Sequence, residues 1–158
     1  MTQEFPYRNL PQLLLRARET LLSHFRPLIT HFGLTEQQWR VLRAVSEHEQ
    51  LEPREICEIC QILSPSLTGV LARMEDLGLV TRTRMEGDQR RLNVRVTDKA
   101  QALVDELGPL IAAQYQLIEQ AYGAAMIDEL YAVMDRFLSL ETDAIPQVAL
   151  PPRPQDGG

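Results

Sequence analysis

The sequence predicts a mainly α-helical chain with one small β-hairpin, and three observations predict it. Apolar residues recur at helical spacing along most of the 158 residues. One stretch breaks that period: Leu92, Val94 and Val96 alternate with Arg91, Asn93 and Arg95, as in a half-buried strand. Ahead of that strand lie two short helical segments joined by a tight turn, and Gly87-Asp88 supplies turn chemistry between the strands. A helix, a turn, a second helix and a hairpin in that order read as a winged helix-turn-helix, with a long helical segment on either side.

Each element has its own signal. Residues 8–31 carry an apolar stripe of Leu10, Leu13, Leu14, Ala17, Leu21 and Phe25, with Pro27 to bend the helix and Gly33 to end it. Thr35 caps a second helix running to about His48, with Trp39, Leu42 and Val45 inward. Pro53 to Cys60 is a short helix, and Gln61 to Leu63 a tight turn. Ser64 caps the next helix, Pro65 suits its first turn, and Gly78 stops it. Its inner face is Leu67, Val70, Leu71, Met74 and Leu77, whereas Pro65, Thr68, Gly69 and Ala72 lie opposite, flanked by Ser66 and Arg73. Small and hydroxyl-bearing residues on an outer face let a helix lie close against another polymer.

The hairpin strands run from Leu79 to Arg84 and from Arg90 to Val96. Thr97 opens a long helix bearing Leu103, Leu107, Leu110, Ile111, Leu117 and Ile118, which Pro109 should kink. A last helix carries Leu130, Val133, Met134, Phe137 and Leu140, and the proline-rich stretch after Ile145 reads as a disordered tail. The expected organisation is therefore an N-terminal dimerisation helix (1–34), a winged unit (35–97), C-terminal dimerisation helices (98–143) and a tail (144–158). The flanking stripes exceed what the central unit can cover, which points to an isologous homodimer.

Charge distribution separates two faces. The net charge is −6, yet residues 64–97 hold six arginines against four acids, and residues 98–143 hold two basic residues against nine acids. The local field at a contact surface decides phosphate binding, so an acidic total does not exclude a nucleic-acid partner. Lys99 is the one lysine; arginine suits forked contacts to phosphates and base edges. No apolar run approaches the roughly 20 residues that cross a bilayer, and Met1 to Pro6 lack the pattern of a signal peptide. A cytoplasmic protein with no membrane partner is expected.

The run Asp88 to Thr97 resembles the wing signature of the MarR family of transcriptional regulators. Leu63 to Glu75 and Leu77 to Val80 are similar to that family's recognition helix and its exit. Phe25 to Leu28 and Leu34 to Arg40 resemble the HpaR subgroup, which regulates operons for homoprotocatechuate (3,4-dihydroxyphenylacetate) degradation. The likeness spans about residues 10 to 140. It implies a dimer of interleaved terminal helices reading a palindromic double-stranded operator, one half-site per winged unit.

For DNA contact the candidates are Ser64, Pro65, Ser66, Thr68 and Arg73 on the recognition helix. Arg90 and Arg91 at the wing tip can enter a narrow minor groove. Asp88 is expected to aim Arg90 by a charge-assisted bond, the role that the resemblance also implies. Arg82, Arg84 and Arg95 are phosphate contacts or solvated strand residues, and Ser64 can be a cap alone. Cys57 and Cys60 lack a second Cys/His pair for zinc, so buried thiols are expected and no metal or cofactor is implied. No phosphate loop, nucleophile elbow or carboxylate cleft points to an enzyme.

An aromatic-acid effector needs an apolar slot and a cation. Arg16, Arg18, Ser23 and His24 with Trp39, Arg40 and Arg43 are candidate lining residues, between the dimer helices and the winged unit as the resemblance implies. Arg40 is the expected carboxylate partner, because its neighbours carry the subgroup likeness. Trp39 can instead be plain core, and Arg43 a surface charge. The reading is a repressor of an aromatic-acid catabolic operon, released by a hydroxyphenylacetate. The alternatives are a regulator without a small effector or gated by cysteine oxidation, and a winged domain used for protein contact.

Overall fold

A computed structural model describes residues 5–141 and 145–152. Among them, six helices and two strands run in the order α1 (Leu10–His31), α2 (Glu36–His48), α3 (Pro53–Cys60), α4 (Ser64–Asp76), β1 (Val80–Met85), β2 (Asp88–Val96), α5 (Asp98–Tyr122) and α6 (Ala124–Leu138). Residues 145–152 form no helix or strand. Residues 142–144, residues 153–158 of the expected tail and the first four of the expected N-terminal segment lie outside the described residues. The chain divides after Gln116 into two compact units.

The first unit contains the winged element and its core. Thr35 caps α2 in a reciprocal box: its hydroxyl accepts from the Gln38 N–H at 3.1 Å, and its own N–H donates to Gln38 Oε1 at 3.0 Å. That fixes the start of α2, whose Val41, Leu42 and Val45 are fully buried. Helix α2 packs on α3, α4 and β2, with Ile56, Leu67, Met74 and Val94 completing the interior. The turn between α3 and α4 closes on Gln61, which takes a left-handed conformation at φ 51° and donates its N–H to the Cys57 carbonyl.

Two details of α4 differ from expectation. Its cap is Leu63, and Ser64 is the first helical residue, because Leu63 already has the extended backbone (ψ 139°) that a cap requires. Leu77 is half exposed rather than inward: the helix has ended at Asp76, so the helical period no longer governs its direction. Gly78 makes the stop at φ 70°, and the Leu79 N–H returns to the Met74 carbonyl at 2.8 Å. Lys99 donates to the Leu77 carbonyl at 2.9 Å and the Thr97 hydroxyl to that of Gly78 at 2.7 Å, pinning the exit of α4 to the start of α5.

Strands β1 and β2 pair antiparallel from Val80↔Val96 to Arg84↔Leu92, and the register then jumps to Met85↔Asp88. Residues 89–91 are therefore bulged out of the ladder. Leu51 adds a short antiparallel bridge to Val94 on the other edge of β2.

In the second unit α6 has no buried residue: Leu130, Val133, Phe137 and, past its end, Leu140 are all exposed in the single chain. The predicted stripe of α1 is likewise open, with Leu10, Leu13 and Leu14 exposed and only Phe25 and Ile29 buried. These apolar faces exist as drawn from the sequence, but one chain does not cover them.

Candidate nucleic-acid interface and effector cavity

Helix α4 presents an open face. Ser64, Pro65, Ser66, Thr68, Gly69 and Arg73 point away from the core, while Leu67, Val70, Leu71 and Met74 hold the other side in it. The Thr68 hydroxyl folds back onto the Ser64 carbonyl at 3.3 Å, a bond that is easily exchanged because both groups face solvent. Leu63 is 79% exposed at the start of the helix. The sequence places it in the turn, yet an apolar side chain there suits a thymine methyl group.

The wing supplies the arginines, in two different states. Asp88 accepts from the backbone N–H of Arg90 at 3.0 Å, so it shapes the bulge through the main chain rather than through the guanidinium as expected. Arg90 is exposed and makes no ion pair among the described residues. Arg91 and Arg82 are engaged. Arg82 forks onto Glu75 of α4 at 3.1 and 3.0 Å, and Arg91 forks onto Glu52, with Nε at 3.2 Å from Oε2. Those guanidinium partners hold the Glu75 and Glu52 carboxyls below the usual carboxylate range. Arg84 lies on β1 opposite Leu92.

A separate cavity of about 300 Å³ opens between α2 and α5, lined by Trp39, Arg43, Ser46 and Glu47 on one side and Val104, Gly108, Ile111, Ala112 and Tyr115 on the other. Small-molecule sites begin at about this volume. Its floor is apolar, with Trp39 and Ile111 buried. Gly108 is part of the α5 wall, and a Cβ there would meet no neighbour within 4 Å. Arg43 donates Nε to Glu47 at 2.8 Å; Glu47 first, and the Tyr115 hydroxyl as well, raise its pKa further. A guanidinium has five N–H donors, so a ligand carboxylate can join these partners. Tyr115 packs on Phe25 of α1 with ring centroids 4.6 Å apart, which fixes the cavity's far wall.

The profile described as the MarR family matches residues 32–91. The homoprotocatechuate degradative operon repressor of Escherichia coli is 39% identical over 127 residues, covering 80% of this chain and 86% of that one. The chain belongs to the MarR family. Solved structures agree: transcriptional regulator PA4135 superposes with a TM-score of 0.82 at 36% identity over 85% of this chain and 99% of its own. NadR in complex with 4-hydroxyphenylacetate gives 0.75 at 32% identity over 89% and 100%. As a MarR-family chain it is a DNA-binding transcriptional repressor, and these relatives are regulators rather than enzymes.

The MarR-type architecture puts the expected DNA candidates on one stretch, α4 through β2, but scatters the expected effector residues. Trp39 and Arg43 line the cavity. Arg40, favoured from the sequence, does not: its guanidinium donates to the Cys60 carbonyl at 2.7 Å while Cys60 Sγ meets the Arg40 carbonyl at 3.5 Å. One residue along a helix is a turn of about 100°. With Trp39 facing α5, Arg40 is carried round to α3, where it ties the helix-turn-helix together. Arg16, Arg18, Ser23 and His24 are exposed on α1 and do not line the cavity within one chain; the Ser23 hydroxyl donates to the Thr20 carbonyl at 2.7 Å. Sequence reasoning misses Tyr115, Glu47 and Gly108. Gly108-Pro109 in an otherwise good helix is the available signal for a wall of small residues. Cys60 is buried as expected and Cys57 half-buried; burial pushes the Cys60 thiol up, which opposes thiolate chemistry. Among the described residues no helix is long and apolar enough to cross a membrane.

Proposed function

We propose that two copies of this chain bind a palindromic operator of an aromatic-acid catabolic operon and release it when a phenolic acid enters the cavity between α2 and α5. Helix α4 enters the major groove through Ser64, Pro65, Ser66, Thr68 and Arg73, and the wing tip meets the minor groove through Arg90. In the cavity the ligand carboxylate binds Arg43, and its ring lies between Trp39 and Tyr115. The observation that carries this reading is the placement of one cation and two aromatic side chains around an apolar cavity. The Escherichia coli relative is a homoprotocatechuate operon repressor and NadR was solved with 4-hydroxyphenylacetate, which supports a hydroxyphenylacetate as the ligand class.

The mechanism follows from which elements line the cavity. Helix α2 packs against the DNA-reading helix α4, while α5 is the long helix leading out of the wing. A ligand wedged between α2 and α5 favours the α2 position that fits it, and acts only through its different affinity for the two arrangements. Trp39 is the single tryptophan, so its emission reports cavity occupancy directly. Titration with 4-hydroxyphenylacetate should give a saturable emission change and loss of operator retention over the same range. Arg43→Ala should weaken binding by about tenfold or more, as expected for a charged hydrogen bond. A flat emission trace up to millimolar ligand, with DNA retention unaltered, would remove the effector assignment.

A further inference from the structure

The hairpin is fastened to the body of the winged unit along both edges, and arginines make the fastenings. On the β2 edge, Leu51 and Val94 exchange backbone bonds at 3.1 and 2.8 Å. Arg95 donates Nε to Gln50 Oε1 at 3.0 Å, and Arg91 forks onto Glu52. Three consecutive residues before α3 are thus stitched to β2. On the β1 edge, Arg82 forks onto Glu75 in the last turn of α4. Glu52 is itself fixed, since its N–H donates to Glu55 Oε2 at 2.7 Å in the first turn of α3.

Exposed ion pairs add little to stability, so stability does not account for carboxylates beside a phosphate-binding surface. Bidentate arginine–carboxylate pairs do fix geometry. A phosphate that took Arg91 would have to break its fork and leave Glu52 unpaired beside the anionic backbone. Arg91 together with Glu52 also adds no net charge for counterion release. We propose that Glu52 and Glu75 are positioning residues. Through Arg91 they tie the wing to the start of α3 and through Arg82 to the end of α4, and so set the groove spacing that the protein accepts; the wing charge that meets DNA comes from Arg90.

This rests on α4 and the wing facing DNA. The test uses the full chain, a duplex selected by the wild-type protein from a random pool, and a shuffled duplex of equal length, across a salt series. Failure of the DNA reading itself would appear as no selected duplex at all. Glu52→Gln and Arg91→Lys should each lower the ratio of selected to shuffled affinity by about tenfold, the scale of one lost base-pair readout, and Arg91→Lys, which keeps both charges, should leave the salt slope unchanged. The double variant should be no worse than either single one, because both break the same fork. Both substitutions sit at the surface and keep size, and circular dichroism verifies that the variants are folded. The opposite pattern overturns the proposal. If Arg91→Lys retains the ratio while Arg91→Ala flattens the log–log slope by about 0.9, Arg91 is a phosphate contact. Equal tightening of both duplexes by Glu52→Gln with the ratio retained, or no change in any variant, would also overturn it.

Discussion

Arg40 and Arg43 are three residues apart on one helix, about 60° around its axis, and their roles diverge because α3 lies at one edge of that arc and α5 at the other. Arg40 reaches the last carbonyl of α3, where it satisfies a helix-end acceptor and locks the angle between α2 and α3. Arg43 turns toward α5 and shares the cavity with Glu47 and Tyr115. Arg40→Ala should therefore cost about 1–3 kcal/mol in urea denaturation, the range for a hydrogen bond to a charged donor. It should leave 4-hydroxyphenylacetate affinity within about twofold of wild type, well under the roughly 1.4 kcal/mol that a tenfold change requires. Equal loss of ligand affinity in Arg40→Ala and Arg43→Ala would contradict this division of labour.

At the scale of elements, the exit of α4 matters most, because it sets where the wing begins. Gly78 adopts φ 70° with open space where a Cβ would stand, so a substitution there meets backbone strain and no steric clash. Gly78→Ala should destabilise by about 1–2 kcal/mol, measurable as a lower urea midpoint with unchanged m. A midpoint equal to wild type would show that the turn tolerates a side chain. The hairpin behind it owes its shape to Gly87 at φ 87° and to the three-residue bulge at 89–91, which carries Arg90 at the tip. Acid should loosen the clasps on this element. The Glu52 and Glu75 carboxyls are held low by their arginines, so the clasps are complete above the ordinary carboxylate range and are lost as pH falls through the depressed folded values. Amide exchange across the hairpin, followed as pH is lowered, should show that loosening on both edges in the wild type and only on the Arg82 edge in Glu52→Gln.

For the whole molecule, the exposed apolar faces of α1 and α6 are the largest unfinished business of a single chain. Leu10 on α1 and Phe137 on α6 are 48% and 53% exposed, and each sits in a row of similar residues. Such rows mark association surfaces, and a second copy is the partner that the proposed palindromic operator demands. Sedimentation should give a dimer for the full chain, and Phe137→Glu should shift it toward monomer with loss of operator binding, while α2 through β2 stay folded. A monomeric wild type that still binds a palindrome tightly would break the link between dimerisation and DNA reading.

The elements of the winged unit were legible because their signals are local, although the cap of α4 falls on Leu63 and Leu77 faces out. The cap at Thr35, the prolines opening α3 and α4, the stop at Gly78 and the alternation from Arg91 to Val96 each act within one or two turns of chain. The boundaries of α2 and α3 followed from them directly. The partners of the arginines were not legible: Glu52 and Arg91 stand 39 residues apart, and no periodicity records which two elements will meet. The same holds for the cavity, whose second wall comes from α5. Sequence alone determined the elements and the apolar face each one carries, since those depend on short-range sterics and hydrophobic period. Only the packing of these elements on one another decided which charged side chains meet a carbonyl, a carboxylate or an open cavity.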